Sequence, residues 1–101
     1  MVGMEMFLVK LTYDTSGWPS KTVTEVVNSI NSQSLIGHAS RSHRTIEVYF
    51  ESSYNNLLGY LGSVLTDVRI LICRSQRQSS GTPEGIIIRP KDDASGVKGT
   101  L

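Results

Sequence analysis

Hydrophobic and polar residues alternate cleanly along residues 45–51, and residues 6–13 form an apolar, β-prone run that ends at a turn-like stretch. Both patterns predict β-strands. Successive side chains of a strand point to opposite faces, so each segment has one apolar and one mixed face. We expect the apolar faces to pack into a core: Phe7, Val9, Leu11 and Tyr13 in the first segment, and Ile46, Val48 and Phe50 in the second. The mixed faces carry Met6, Leu8 and Lys10, and Glu47, Tyr49 and Glu51.

A helical period occupies residues 20–32. Val23, Val26, Val27 and Ile30 follow the i, i+3, i+4, i+7 spacing of a helix with one buried stripe. Thr22 followed by Glu25 fits a capping box, and Pro19 suits a helix entrance. We expect Trp18 to pack as a staple over this helix.

A second helix is predicted from residue 54 to 65. Its apolar stripe consists of Tyr54, Leu57, Leu58, Leu61 and Leu65. Ser52 and Ser53 are suited to cap its start, and Gly62 is a candidate stop.

Three further runs have strand character. Residues 34–40 indicate a short strand in which Gly37 marks a bulge or kink. The apolar run from Asp67 to Arg74 predicts a strand at the centre of a sheet, and Gly85–Arg89 predicts a short extra strand ended by Pro90. Residues 75–83 form a polar loop and residues 91–101 a polar tail.

The order of these elements is β-α-β-β-α-β, which predicts the α+β class and a ferredoxin-like two-layer sandwich with a short fifth strand and a polar C-terminal tail. The 101 residues fit one domain. We divide them into an α+β domain at 1–74 and a polar extension at 75–101, with the extra strand at 85–89. Two helices cover one sheet face, so the opposite face is the place to look for function.

Composition and charge exclude several classes of protein. Hydrophobic residues make up 39% of the chain, which is enough to fold, and the net charge of +1 attracts neither nucleic acid nor lipid at long range. One cysteine, Cys73, forms no internal disulfide and no thiolate zinc site. Within an apolar strand it would be a buried, inert thiol. No secretory signal and no membrane-spanning run is predicted, so we expect a cytoplasmic protein.

Charge is distributed unevenly. Residues 68–91 hold five basic side chains against the single acid Glu84, whereas residues 1–67 are slightly acidic. The later region is therefore the candidate polyanion surface, with exposed-edge solubilisation as the alternative role. The candidate nucleic-acid-binding residues are Arg69, Arg74, Arg77, Arg89 and Tyr49.

Two family resemblances bear on these residues. Arg44–Glu51 and Met6–Leu11 lie where RNA-recognition-motif domains keep their two signatures, and this resemblance implies that Tyr49 stacks on bases. Here Glu47 and Glu51 flank Tyr49 and would repel phosphates.

The chain also resembles the small ferredoxin-like subunit of CRISPR spacer-integration complexes, through Tyr13-Asp14, Phe50-Glu51 and Asp67-Val-Arg69. That resemblance implies that Asp14 holds a divalent metal in a symmetric dimer, and that the strand at 85–89 joins the dimer partner. The chain has Lys21 and Thr22 where that family places an arginine early in its first helix.

Other chemistry finds little support in the sequence. His38 and His43 flank a predicted hairpin, either as zinc or copper ligands or as ordinary loop residues. No nucleophile elbow and no phosphate-binding loop is present. We therefore predict no catalytic residue, no metal and no cofactor.

The sequence favours a small non-enzymatic binding or assembly module that self-associates or docks a protein partner, with sequence-independent nucleic-acid contact as a further role. The alternative is a metal-dependent nuclease or an integration-complex-like subunit that uses Asp14. Fold analogy alone adds a small-molecule sensor.

Overall fold

The computed structural model describes residues 5–33 and 37–91 as a sheet of four strands with two α-helices. Along the chain lie β1 (Met6–Asp14), α1 (Ser20–Asn31), β2 (His38–Arg41), β3 (Thr45–Ser53), a 3-10 helix (Tyr54–Asn56), α2 (Leu57–Ser75) and β4 (Gly85–Pro90). The α+β class is confirmed.

The strands lie in the order β2-β3-β1-β4, and every neighbouring pair is antiparallel. In the central pair Leu11 lies opposite Val48, and on its other side Leu11 lies opposite Ile86. Opposed residues of an antiparallel pair share a face, so the register alone assigns every strand residue to the helix side or to the open side of the sheet.

The core lies between the sheet and the two helices. Val9, Leu11 and Tyr13 of β1 and Ile46, Val48 and Phe50 of β3 are buried in it, as predicted. Phe7, which was predicted with them, is half-buried beside the Tyr54 ring instead. Val23, Val26 and Ile30 of α1 and Val64, Val68 and Ile72 of α2 close it from the other side. Trp18 and Val27 are half-buried against this core. Among the described residues, no member of β4 belongs to it.

The start of α1 differs from the predicted capping box. The helix begins at Ser20, with Pro19 in the N-cap position and no side-chain cap hydrogen bond. Thr22 therefore lies inside the first turn, where its hydroxyl is past the cap position. Proline explains the early start, because its fixed φ suits a helix entrance.

The strand predicted at 67–74 is wrong, because α2 continues through it to Ser75. The buried residues Val64, Val68 and Ile72 recur every four positions, which extends one helical stripe beyond the predicted end. Gly62 therefore does not stop the helix. Cys73 is exposed on α2, so the prediction of a buried thiol is also wrong.

The second helix begins differently from the prediction as well. Strand β3 runs on to Ser53, and Ser53 precedes the 3-10 helix without a side-chain cap hydrogen bond. The N-cap of α2 is Asn56, again without a side-chain cap. The predicted capping role of Ser52 and Ser53 is therefore wrong.

Strand β4 supplies the fourth strand, at the place where the sequence predicts a short fifth one. The other predicted short strand begins at His38, and residues 34–36 of that prediction lie outside the described residues. The tail at 92–101 also lies outside them. Gly37 has φ +120°, and a Cβ there would collide with the carbonyl oxygen of Tyr49. Only glycine fits this approach to β3.

By length and composition, the helical stretch Tyr54–Ser75 is apolar enough to cross a membrane, with a mean hydropathy of 1.3. No such run was predicted from the sequence, because the predicted helix ended at residue 65. In the fold, one side of α2 packs into the core, where Val64, Val68 and Ile72 are buried. Leu58 and Ile70 are exposed on its surface.

Candidate interaction surfaces

The open side of the sheet, away from the helices, forms a shallow depression of about 420 Å³. Its centre is Leu8 and Lys10 of β1, and the neighbouring strands contribute His38, Tyr49 and Glu51 on one side and Ile87 and Arg89 on the other. The strand registers account for this grouping, since Leu8 lies opposite both Glu51 and Arg89, and Lys10 lies opposite Tyr49 and Ile87. A pocket of this size with apolar and polar lining can take a small ligand or a peptide side chain.

Both carboxylates beside Tyr49 have partners on this face. Glu47 accepts a hydrogen bond from the Tyr49 hydroxyl and lies 3.9 Å from the Lys10 ammonium. Glu51 pairs with Lys91 at 3.0 Å. The hydrogen bond to Glu47 raises the pKa of Tyr49 above its usual value, because it favours the protonated phenol. The negative charge around Tyr49 is thus largely compensated within the protein.

The structure separates the five predicted nucleic-acid-binding residues. Tyr49 and Arg89 line the open-face depression together. Arg69 and Arg74 are exposed on α2, and Arg77 is exposed in the loop after it. His38 and Ile87 were not predicted as members of the open face, because strand pairing brings them there from distant parts of the chain. The signal that could have placed them on the open face is the alternation of side-chain direction along β2 and β4.

The candidate metal ligands do not converge. Within residues 5–33 and 37–91, no group of three or more histidine, cysteine or acidic residues is placed to hold a metal ion. Asp14 is exposed and accepts a hydrogen bond from the Ser16 amide at 3.0 Å, which is an Asx turn. That bond holds the pKa of Asp14 below its usual value. His38 lines the open face, whereas His43 lines a separate cavity at one end of the domain.

Strand β4 exposes three consecutive isoleucines at an edge of the sheet. Ile86, Ile87 and Ile88 are 45%, 41% and 42% exposed. Ile86 and Ile88 lie on the helix side, opposite the core residues Leu11 and Val9, yet no helix covers them. We call these side chains, together with the main-chain groups of β4 that point away from β1, the β4 edge.

The alternation of hydrogen-bonded positions along the β1–β4 ladder shows which main-chain groups of β4 point away from β1. Lys91 donates its amide to the Met6 carbonyl at 2.9 Å, and the two residues continue the register of the ladder. Since paired and unpaired positions alternate in antiparallel ladders, residues 85, 87 and 89 bond to β1. The N–H and C=O groups of Ile86 and Ile88 therefore point outward.

The opposite edge of the sheet is protected. Asn31, the last residue of α1, donates its amide group to the Ala39 carbonyl at 2.9 Å and accepts from the Ala39 N–H at 2.7 Å. One side chain thus satisfies the outward main-chain groups in the middle of β2. Strand β2 is also only four residues long, and short, covered edges resist pairing with another chain. Among the described residues, β4 has no comparable cover.

Comparison of the chain with protein-family models, with curated proteins and with solved structures finds no match.

Proposed function

We propose that this protein is a ferredoxin-like, non-enzymatic assembly module that self-associates through the β4 edge. The order of strands and helices along the chain and the central position of β1 and β3 support the ferredoxin-like assignment. The observation that carries the function is the exposed run Ile86–Ile88, in which the N–H and C=O groups of Ile86 and Ile88 point away from β1. Unprotected apolar edges of this kind are templates for a further strand.

A second copy of the chain fits this edge by symmetry. In an antiparallel pair centred on Ile87, Ile86 of one copy lies opposite Ile88 of the other, and the reverse. The outward N–H and C=O groups of these residues then form four inter-chain hydrogen bonds. The arrangement joins two four-stranded sheets into one of eight strands, and it covers the isoleucines that the helices leave exposed.

Charge does not oppose this pairing. The segment Gly85–Ile88 contains no ionisable side chain, and in the symmetric register Arg89 lies opposite Gly85 of the other copy, where there is no side chain to obstruct it. Pro90, which has no N–H, ends the edge. A heterologous protein partner that adds a strand would use the same groups.

Analytical ultracentrifugation from micromolar to millimolar concentration tests the proposal. We expect a concentration-dependent dimer that Ile88→Lys converts to a monomer, because a desolvated ammonium group opposes burial of the edge. Leu58→Lys is the matched control, since Leu58 is an exposed apolar residue on α2, and we expect it to leave the dimer intact. Circular dichroism checks that both variants fold.

A wild-type chain that stays monomeric at millimolar concentration contradicts self-association. Equal dissociation by Leu58→Lys would place the interface on α2 instead. A wild-type monomer that nevertheless binds an added β-strand peptide in an Ile88→Lys-sensitive manner would support the edge with a different partner.

A further inference from the structure

A second cavity, distinct from the open face, lies at one end of the domain. It has a volume of about 410 Å³ and forms where the loop between β1 and α1 meets the turn between β2 and β3. Two main-chain hydrogen bonds hold these segments: Thr15 donates to the Arg44 carbonyl at 2.8 Å, and Ser42 donates to the Thr45 carbonyl at 2.8 Å. The cavity walls are therefore tied to the sheet.

Three basic side chains line this cavity: Arg41, His43 and Arg44. No carboxylate lines it, and among the described residues none of the three belongs to an ion pair. Asp14 lies close enough to Arg44 for a small effect on the pKa of the carboxyl group, but Asp14 faces the neighbouring cavity and is bound to Ser16. The charge of the cavity is therefore positive and largely uncompensated.

Arg41 is held in place by neutral partners. Its Nη1 donates to the Ser20 hydroxyl at 3.3 Å and to the Thr24 hydroxyl at 3.2 Å. Hydroxyl acceptors orient a guanidinium group without neutralising it. Within residues 5–33 and 37–91 its other N–H groups have no side-chain partner, so they can receive a ligand. This is how a protein would prepare an arginine to receive an anion.

The start of α1 adds to the positive electrostatic potential of this cavity. Ser20 lines the cavity and is the first residue of the helix. The helix has no side-chain cap and no acidic residue in its first turn, so the amides of residues 20–22 have no intrahelical acceptor. Free amides at a helix N-terminus favour negative charge. They supplement the three basic side chains, which supply most of the positive charge.

We propose that this cavity binds a phosphate group, carried by a small phosphomonoester or diphosphate. A tetrahedral anion offers acceptor oxygens to two guanidinium groups, an imidazole and a hydroxyl at once, whereas a planar carboxylate offers only two. The volume falls in the range of small-molecule sites, so there is room for more than a lone ion. The site is independent of the β4 edge and of its proposed self-association.

NMR titration of the full chain with inorganic phosphate and with pyrophosphate, at constant ionic strength in chloride, tests the site. We expect saturable shifts of the amides of residues 20–22 and 42–45, with pyrophosphate binding more tightly. Arg41→Gln and Arg44→Gln should each weaken binding by about tenfold or more, since each removes a charge-assisted hydrogen bond. Arg41→Lys should bind more tightly than Arg41→Gln.

Arg89→Gln is the matched control, because it removes the same charge from the open face of the sheet. Its affinity should match that of the wild type. If Arg89→Gln weakens anion binding as much as Arg44→Gln does, the binding reflects the net charge of the protein and not this cavity. That outcome overturns the proposal. The absence of saturable shifts in the wild-type chain with either anion also overturns it.

Discussion

Tyr49 donates its hydroxyl hydrogen bond to Glu47, two residues earlier on the same open face of β3. The contact orients the most prominent aromatic ring of that face and ties it to a carboxylate that also lies 3.9 Å from Lys10. The ring is thereby part of a polar network across β1 and β3 rather than an isolated stacking surface. The network explains how two acidic residues can flank Tyr49 without leaving the open face strongly negative.

This contact predicts a measurable change in the ionisation of Tyr49. The hydrogen bond to Glu47 is the largest cause of its raised pKa, followed by burial and the negative charge of Glu47. Glu47→Gln should therefore lower the pKa of Tyr49. The measurement is the phenolate absorbance against pH, and subtracting the same titration of a protein that also carries Tyr49→Phe isolates the signal of Tyr49. Glu51→Gln is the control, and an equal shift in that variant would contradict the assignment.

Tyr13 is a buried phenol with an unsatisfied hydroxyl. It is 2% exposed, and within the described residues its oxygen has no hydrogen-bond partner. Because an unpaired buried hydroxyl costs about 1–3 kcal/mol, Tyr13→Phe should leave the free energy of unfolding unchanged or raise it. Urea denaturation measures this, with Tyr49→Phe as the exposed comparison. A loss of stability in Tyr13→Phe would show that the hydroxyl has a partner.

The same residue predicts how stability depends on alkaline pH. Burial raises the pKa of Tyr13 in the folded state, so the folded protein keeps the phenol protonated where the unfolded chain ionises it. The unfolded chain then binds fewer protons, and stability falls as pH rises above about 10, the ordinary value for tyrosine. Urea titrations at pH 8 and at about pH 11 should show a smaller fall in Tyr13→Phe than in the wild type. Equal falls in both proteins would contradict this role of Tyr13.

Two glycines with opposite surroundings test the placement of β2 and α2. Gly37 directly precedes β2, and Gly62 lies within α2. Gly37 has positive φ and no space for a Cβ beside Tyr49, so Gly37→Ala should destabilise the fold by about 2 kcal/mol or more. Gly62 lies inside α2 with open space around it, so Gly62→Ala should stabilise it by about 0.5–1 kcal/mol. Thermal denaturation compares the two. A loss of stability in Gly62→Ala would argue against a continuous helix.

Sequence-independent nucleic-acid contact remains a prediction for the arginines of α2 and its following loop. If it occurs, anisotropy titrations with single-stranded DNA should show binding that weakens steeply with salt, and Arg74→Gln with Arg77→Gln should reduce it several-fold. Lys21→Gln is the control, because it removes one exposed positive charge from α1 instead of from α2 and its following loop. Binding that is insensitive to Arg74 and Arg77 would dismiss this surface.

The elements with an unambiguous period could be predicted from the amino-acid sequence alone. Clean alternation identified the buried face of β3 with Val48, and an apolar, β-prone run identified β1, whose face with Val9 is buried. The spacing from Val23 to Ile30 identified α1. Local period suffices there because burial on one face forces the same residues inward in any packing. The run from Asp67 to Arg74 was ambiguous, since short runs rich in valine and isoleucine suit both a buried strand and a helix. The spacing of Val64, Val68 and Ile72 was the signal for a helix.

Tertiary structure alone decided where the surfaces lie. The pairing of Leu11 with Ile86 placed β4 at an edge, and no local pattern distinguishes an edge strand from a central one. The basic cavity joins Ser20 to Arg41 and Arg44, which only the packing of α1 beside the hairpin brings together. Side chains far apart in sequence meet through pairing and packing, and the free energy of those contacts depends on the whole fold rather than on any segment of it.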